Sequence, residues 1–149
     1  MHKARGFTLI EALMVTVILV ILVSVGLPGF SSFMRNQRVK TASFDLFSSL
    51  VFARSEAITR NTAVTIGPAG GNWANGWTVT DSGGTVLRQE EAVASVTISG
   101  PASLVYRGSG RLDGVVQPAL QLTSVGDDIT TRCIRIDLSG RPYTKAEAC

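Results

Sequence analysis

The chain has 149 residues, 14 of them Lys or Arg and 11 Asp or Glu, for a formal charge of +3 with its single His neutral. So small an excess says little in favour of nucleic acid as a partner of the whole chain. With one membrane segment set aside, the length leaves room for a single soluble domain of roughly 110 to 120 residues around one modest core, which argues against a second domain.

The first thirty residues run Met-His-Lys-Ala-Arg-Gly, then Phe7-Thr-Leu-Ile-Glu11, then an apolar stretch from Ala12 to Phe30. No charge appears between Ala12 and Met34, 23 residues in all, and ~20 suffice to cross a bilayer as a helix. Glu11 stands at the head of that run. An acid at such a depth costs at least ~2.5 kcal/mol in hydrocarbon, so it calls for a partner, most economically a cation delivered by another segment of the same kind. Lys3 and Arg5 would keep the start of the chain in the cytoplasm and send the residues beyond the span outward. A cleaved secretory signal would end in a small-residue site after the apolar run, and Ser24-Val25-Gly26 before Leu27 and Pro28 matches that weakly. A plain single-span anchor accounts for the length but not for Glu11 beside a Gly-Phe junction.

Gly6, Phe7 and Glu11 together resemble the N-terminus of a type IV prepilin or of a type II secretion pseudopilin. The resemblance implies a leader over residues 1–6, cleaved after Gly6 by an inner-membrane prepilin peptidase, and an N-methylated Phe7 as the new terminus. It also implies that Glu11 neutralises the terminal amine of an adjacent subunit during filament assembly, with residues 7–30 as the transmembrane and assembly helix. Loss of Lys3 and Arg5 with the leader takes the 14 basic side chains to 12 against 11 acidic ones. Gly26, Pro28 and Gly29 interrupt the helix; Pro28 removes a backbone donor and crowds the preceding turn, so a break or local melting is expected there. Pilins commonly carry a Pro at the corresponding depth.

Beyond the span, Val39, Ala42, Leu46, Leu50, Ala53 and Ala57 recur at spacings of three and four. They predict one apolar stripe on a helix reaching about Arg60, which Phe44, Phe47 and Val51 are expected to widen. If membrane and soluble helices are continuous, the rod measures on the order of 80 Å. From Asn61 the pattern changes to short β-branched or alternating runs parted by Gly, Asn, Asp and Pro, the signature of an antiparallel sheet. The expected strands are 63–66, 77–80, 85–89, 93–99, 104–107, 119–123 and 133–138, with Asp81-Ser82-Gly83-Gly84 as a hairpin turn. The predicted fold is therefore α+β: a long N-terminal helix, transmembrane in its first half, packed on an antiparallel β-sheet domain that occupies the rest of 31–149.

Ala53-Arg54-Ser55-Glu56-Ala57-Ile58, Arg60-Asn61, Gly76-Trp77 and Ser139-Gly140-Arg141, in that order, resemble the GspH/FimT subgroup of minor pilins. In purely structural terms these are a helix end, a buried Trp and a turn, and Trp73 and Trp77 are expected to pack in the core or at its rim.

Cys133 and Cys149 are the only cysteines. In an exported domain such a pair points to a disulfide, closing a loop of about 15 residues and stabilising the fold by ~3 kcal/mol; two thiolates without His make a poor zinc site. No catalytic residue, metal site or cofactor is expected. The only imidazole, His2, lies in the leader and leaves the mature protein no triad or general base of that kind. Gly108-Ser109-Gly110-Arg111 lacks the Gly-Lys-Ser/Thr ending of a phosphate loop and reads as a turn. Asp127-Asp128 falls short of a calcium cage, and Glu90-Glu91 reads as a solvated hairpin edge.

Arg132, Arg135, Arg141 and Lys145 cluster near the end, opposed by Asp137. Some FimT-like pilins capture DNA through a Gly-Arg-x-Arg element; here Gly140-Arg141-Pro142-Tyr143 replaces its second Arg with Tyr143. The resemblance implies three readings. The first is a minor type IV pilin, held in the inner membrane by one span with its domain in the periplasm, then built with other major and minor pilins into a pilus, in a tip or priming complex. The second is a minor pseudopilin of a type II secretion system. The third is a DNA-binding pilin for transformation, whose binding would be indifferent to sequence and sensitive to salt.

Overall fold

A computed structural model of the chain describes residues 7–114, 117–126 and 130–149, with the side chains of residues 25–29 also outside the description. The expected leader with its cleavage residue Gly6 and the acid pair Asp127-Asp128 therefore lie outside the described residues, while the backbone at the expected break, Pro28, falls within one continuous helix, Leu9–Arg60. The chain divides into two compact units, Met1–Met34 and Arg35–Cys149. One helix, α1, Leu9–Arg60, contributes to both.

In the first unit the described side chains of α1 from Leu9 to Val23 are exposed on every side. Among the described residues no helix is long and apolar enough to cross a membrane. The span expected over residues 7–30 includes 25–29, whose side chains lie outside the description.

In the second unit the apolar stripe of α1 is buried as its spacing predicts: Val39, Ala42, Leu46, Leu50, Ala53 and Ala57 are at most 2% exposed. Residues three and four apart share one helical face, and the Ala positions let backbones approach closely. The helix stops at Arg60 in a Schellman cap. Asn61 takes a positive φ of 50°, its N–H donates to Ile58 O (3.2 Å), and the Thr62 N–H donates to Ala57 O (3.3 Å). Asn tolerates the left-handed conformation better than most residues, which accounts for Arg60-Asn61 at this point.

The strands are β1, Val64–Pro68; β2, Trp77–Asp81; β3, Val86–Glu90; β4, Val96–Ser99; β5, Leu104–Tyr106; β6, Ala119–Ser124; β7, Thr131–Ile136; and β8, Pro142–Lys145. They form two four-stranded sheets, β3-β2-β1-β5 and β4-β6-β7-β8, rather than one; every strand pair described is antiparallel. β8 goes unpredicted because it is short and opens with Pro142, a residue confined to strand starts and sheet edges, and both descriptions fit here. Val93 to Ser95 and Asp137 to Leu138, expected at strand ends, fall outside the strands. Asp81 caps the predicted hairpin: its Oδ1 accepts the N–H groups of Gly83 and Thr85, both at 2.9 Å.

The α1 stripe shares one core with Val64, Ile66 and Val79 of the first sheet and Ile98, Leu120, Leu122, Ile134 and Ile136 of the second. Trp73 and Trp77 are buried in it, and Trp73 Nε1 donates to Pro101 O at 2.8 Å. The predicted widening of the stripe fails in part. Phe44 is 70% and Val51 44% exposed, because both lie well round the helix from the line through Leu46 and Leu50, at about 100° per residue. Only Phe47 packs against the core. Polar contacts fix the helix at its flanks: Arg88 Nη1 donates to Ser48 Oγ at 3.3 Å with its guanidinium 5.8 Å above the Phe52 ring, and Arg38 Nη1 donates to Ser95 Oγ at 3.1 Å. Glu90, expected at a solvated edge, pairs with Arg88 at 2.7 Å.

Leu46→Ala is expected to lower unfolding stability by about 2–5 kcal/mol, while Phe44→Ala changes it by less than about 0.5 kcal/mol; denaturant titration of the two variants checks the corrected helix face.

Candidate assembly site

Two places in the chain carry the predicted functional residues. The first is the start of α1. Thr8 immediately precedes the helix, and its Oγ1 accepts the Glu11 N–H at 3.3 Å, while Thr8 O accepts the Ala12 N–H at 3.2 Å. Thr8-Leu9-Ile10-Glu11 has the Ser/Thr-x-x-Glu spacing of a capping box, a signal present in the sequence but overlooked beside the apolar run. Glu11 is the one acid of the first helical turn, where the helix dipole favours negative charge by about 0.3–1 kcal/mol. Its carboxylate has no hydrogen-bond or ion partner among the described residues. Phe7 stands just ahead, exposed.

The second place gathers the motif residues of the C-terminal half. Arg54 reaches from α1 to two turns at once: Nε donates to Gly110 O at 3.0 Å and Nη2 to Ser139 O at 3.3 Å. The turn 107–110 closes through Gly110 N–H to Arg107 O (2.7 Å), and the turn 137–140 through Gly140 N–H to Asp137 O (2.9 Å). They stack so closely that a Cβ on Gly140 would lie 2.0 Å from Gly110 O, at a φ of +82° that disfavours other residues. A Cβ on Gly108 would stand 2.8 Å from the backbone of Asn61, so the same turn covers the helix cap. Beneath them lies Tyr106, fully buried; burial pushes its phenol well above the ordinary range, and its hydroxyl has no partner among the described residues. Arg54, Asn61, Gly108 and Ser139-Gly140 are thus one assembly, holding the helix end against two turns far apart in sequence.

Asp137 organises the second turn. Its Oδ1 accepts from Ser139 Oγ (2.5 Å), Ser139 N–H (2.9 Å) and Arg141 N–H (3.0 Å). The Ser139 hydroxyl bond first, and then the Arg141 N–H, hold its carboxyl below the usual aspartate range.

The four predicted cations are not brought to one surface. Arg132 pairs in register with Leu122 and shares the core-facing side of β7 with Ile134 and Ile136. Arg135, by alternation, faces the other way with Cys133, and its Nη2 donates to a backbone oxygen of Cys149. Lys145 pairs with Glu147 at 3.1 Å, and Arg141 lies 3.9 Å from Asp137. Cys133 and Cys149 form a disulfide with Cα atoms 5.0 Å apart, and the Cys149 N–H donates to Gln121 Oε1 at 3.1 Å, which pins the final residues across the second sheet.

Residues 42–140, more than half of the chain, match the family of the type II transport protein GspH. The chain belongs to the GspH family. Residues 1–27 match the prokaryotic N-terminal methylation motif. This GspH-family chain is by class a minor type IV pilin or pseudopilin, a kind of protein that assembles with other pilins in a filament. Its fold is similar to that of the type IV minor pilin FimU of Pseudomonas aeruginosa, at a TM-score of 0.68 and 20% identity over 78% of this chain and 96% of that one. A second crystal form of FimU matches at 0.64 and 21% identity, covering 74% and 96% of the two chains. No curated protein sequence matches the chain significantly.

Gly140→Ala is expected to destabilise the domain by at least about 1–3 kcal/mol, from the positive φ alone, measured by denaturant unfolding. Because the Asp137 pKa is depressed in the folded state, its stabilising contribution is present above the ordinary aspartate pKa and is lost as pH falls through the folded value. The Ser139 and Arg141 amide resonances should shift together with an acid midpoint below that of a free aspartate; an ordinary midpoint would contradict the assignment.

Proposed function

We propose that this chain is a minor type IV pilin, cut between Gly6 and Phe7 by a prepilin peptidase, methylated at Phe7, and held in the inner membrane by a single span until it enters a pilus. The observation that carries the reading is the order Gly6-Phe7-Thr8-x-x-Glu11 at the head of an apolar helix, within the stretch that matches the methylation motif. An apolar helix exposed all round has no reason to stay so in water. Lipid before assembly and the corresponding helices of other pilins afterwards are the surroundings that suit it. The role is structural rather than catalytic, with the sheet domain in the periplasm and then on the filament, in the tip or priming complex.

In this account Glu11 meets the terminal amine of a neighbouring subunit. The Ser/Thr-x-x-Glu spacing offers the same side chain a second, local role, accepting the Thr8 N–H in a capping box, a bond not made among the described residues, so the two roles have to be separated by a change that keeps one of them. Glu11→Gln retains a side chain that can close the capping box and removes only the charge. If the charge docks the subunit, E11Q is inserted and processed normally but fails to enter filaments. Normal incorporation of E11Q would leave only the capping role.

The second reading, a minor pseudopilin of a type II secretion system, is favoured by the description of the family that the chain matches. Both readings require an N-methylated Phe7 in the intact mass of protein purified from native membranes. An unprocessed Met1 terminus overturns both. Deletion separates them: loss of pili with secretion intact supports the first, and the reverse supports the second.

A further inference from the structure

Between α1 and the second sheet, Lys40, Ser43, Phe44 and Phe47 line a cavity of about 310 Å³ together with Arg132 of β7 and Thr144 of β8. All of them belong to the second unit. The strand register explains the convergence. Thr144 stands opposite Ile134, two residues on from Arg132, so both side chains fall on the face that Ile134 turns toward α1 and the core. The two cations have no counter-charge. Lys40 and Arg132 form no ion pair among the described residues, and no described carboxylate lines the cavity. The α1 positions three and four residues either side of Lys40 hold Asn36, Gln37, Ser43 and Phe44. Arg132 Nε is buried without a hydrogen-bond partner among the described residues. The hydroxyl of Ser43, a residue only 3% exposed, makes no hydrogen bond there either. Buried donors left unpaired beside uncompensated charge call for an explanation. An anion with several oxygens supplies one, because it accepts from guanidinium, ammonium and hydroxyl groups together.

We infer that this cavity binds the phosphate of an anionic phospholipid in the outer leaflet of the membrane that holds the chain before assembly, with Lys40 and Arg132 meeting its charge and Ser43 and Thr144 donating to its oxygens. The position of the cavity along α1 selects a lipid as the source of the phosphate. Between Glu11 and Asp45 the only charged residues are Arg35, Arg38 and Lys40, directly after the chargeless run that ends at Met34. Lys40 stands five residues beyond Arg35, about 8 Å along the helix. The polar layer on each side of a bilayer's hydrocarbon is itself about 5–8 Å deep, so a span that ends where the charges begin puts Lys40 at the level of the lipid phosphates. Three cations just outside a span also run against the bias that places Lys and Arg on the cytoplasmic side, and a use at the outer leaflet accounts for them. Phe44, 70% exposed, offers apolar surface to the boundary between headgroups and acyl chains. Free phosphate has the same oxygens and charge, but nothing concentrates it at this depth.

The inference rests on the single-span reading, and the experiment separates the two. Isotope-labelled full-length chain, purified from its own membranes, is reconstituted in phosphatidylcholine bilayers with and without phosphatidylglycerol. The amide resonances of Ser43, Phe47 and Thr144 are followed, with Thr97, exposed on β4, as the control position. Phosphatidylglycerol is expected to shift the three together and to leave Thr97 unmoved, while inorganic phosphate added at equal concentration to phosphatidylcholine bilayers shifts none of them. Lys40→Gln, at an exposed site, should weaken the phosphatidylglycerol response about fivefold, and Lys40→Arg should preserve it. Arg132→Gln should weaken it further, and an unchanged Thr97 resonance in that variant shows the sheet intact. Shifts confined to Arg35 and Arg38, an equal response to inorganic phosphate, or a response indifferent to Lys40→Gln overturns the inference. Flotation with phosphatidylcholine vesicles tests the span by itself. A chain that stays in solution sinks the single-span reading; one that floats but shows no phosphatidylglycerol shift sinks this inference alone.

Discussion

Burial of one helical stripe, from Val39 to Ala57, in a core common to both sheets is the contact on which the rest of the domain depends. Each four-stranded sheet has one apolar face and could not stand alone in water, since a few short strands bury too little surface. α1 supplies the missing cover for both at once. Ala42, Ala53 and Ala57 let the helix sit close, and Leu46 and Leu50 fill the space between. An antiparallel sheet can leave its other face to solvent, which accounts for the alternation of buried and exposed residues along β4 and of half-buried and buried ones along β6.

A helix that covers two sheets must also be stopped and oriented, and polar groups do this at its edges. Arg54 joins the last turns of α1 to carbonyls 56 and 85 residues further on. The Schellman cap at Asn61 turns the chain into β1, and Gly108 closes over it. Charge-assisted bonds to backbone carbonyls are directional, so they select one rotation of the helix where apolar packing alone would accept several. The Asp137 turn and the disulfide do the same for the end of the chain, holding β8 as the edge of the second sheet.

Covering the core with one face of α1 leaves Phe44, Val51 and Ile58 of the same helix exposed, and the first unit brings apolar side chains, from Leu9 to Val23, that are exposed all round. Neither feature helps an isolated chain. Both fit a protein of the pilin class, whose members assemble with others in a filament.

What depends on local order was legible in the sequence: the apolar head with Glu11, the α1 stripe, the hairpin at Asp81 and seven of the eight described strands, because helical and strand periodicities are written along the chain. The sequence also contained the capping-box spacing at Thr8, which went unread. What depends on contacts between distant segments was not legible there. The strands divide into two sheets, and the edge strand β8 forms beyond a Pro because β7 offers it hydrogen bonds. Phe44 and Val51 stay exposed because both sheets lie on the far side of the helix. The four cations near the C-terminus separate onto two faces because alternation along β7 turns Arg132 inward and Arg135 outward, a division that spacing along the chain does not reveal until the register of the strand is known.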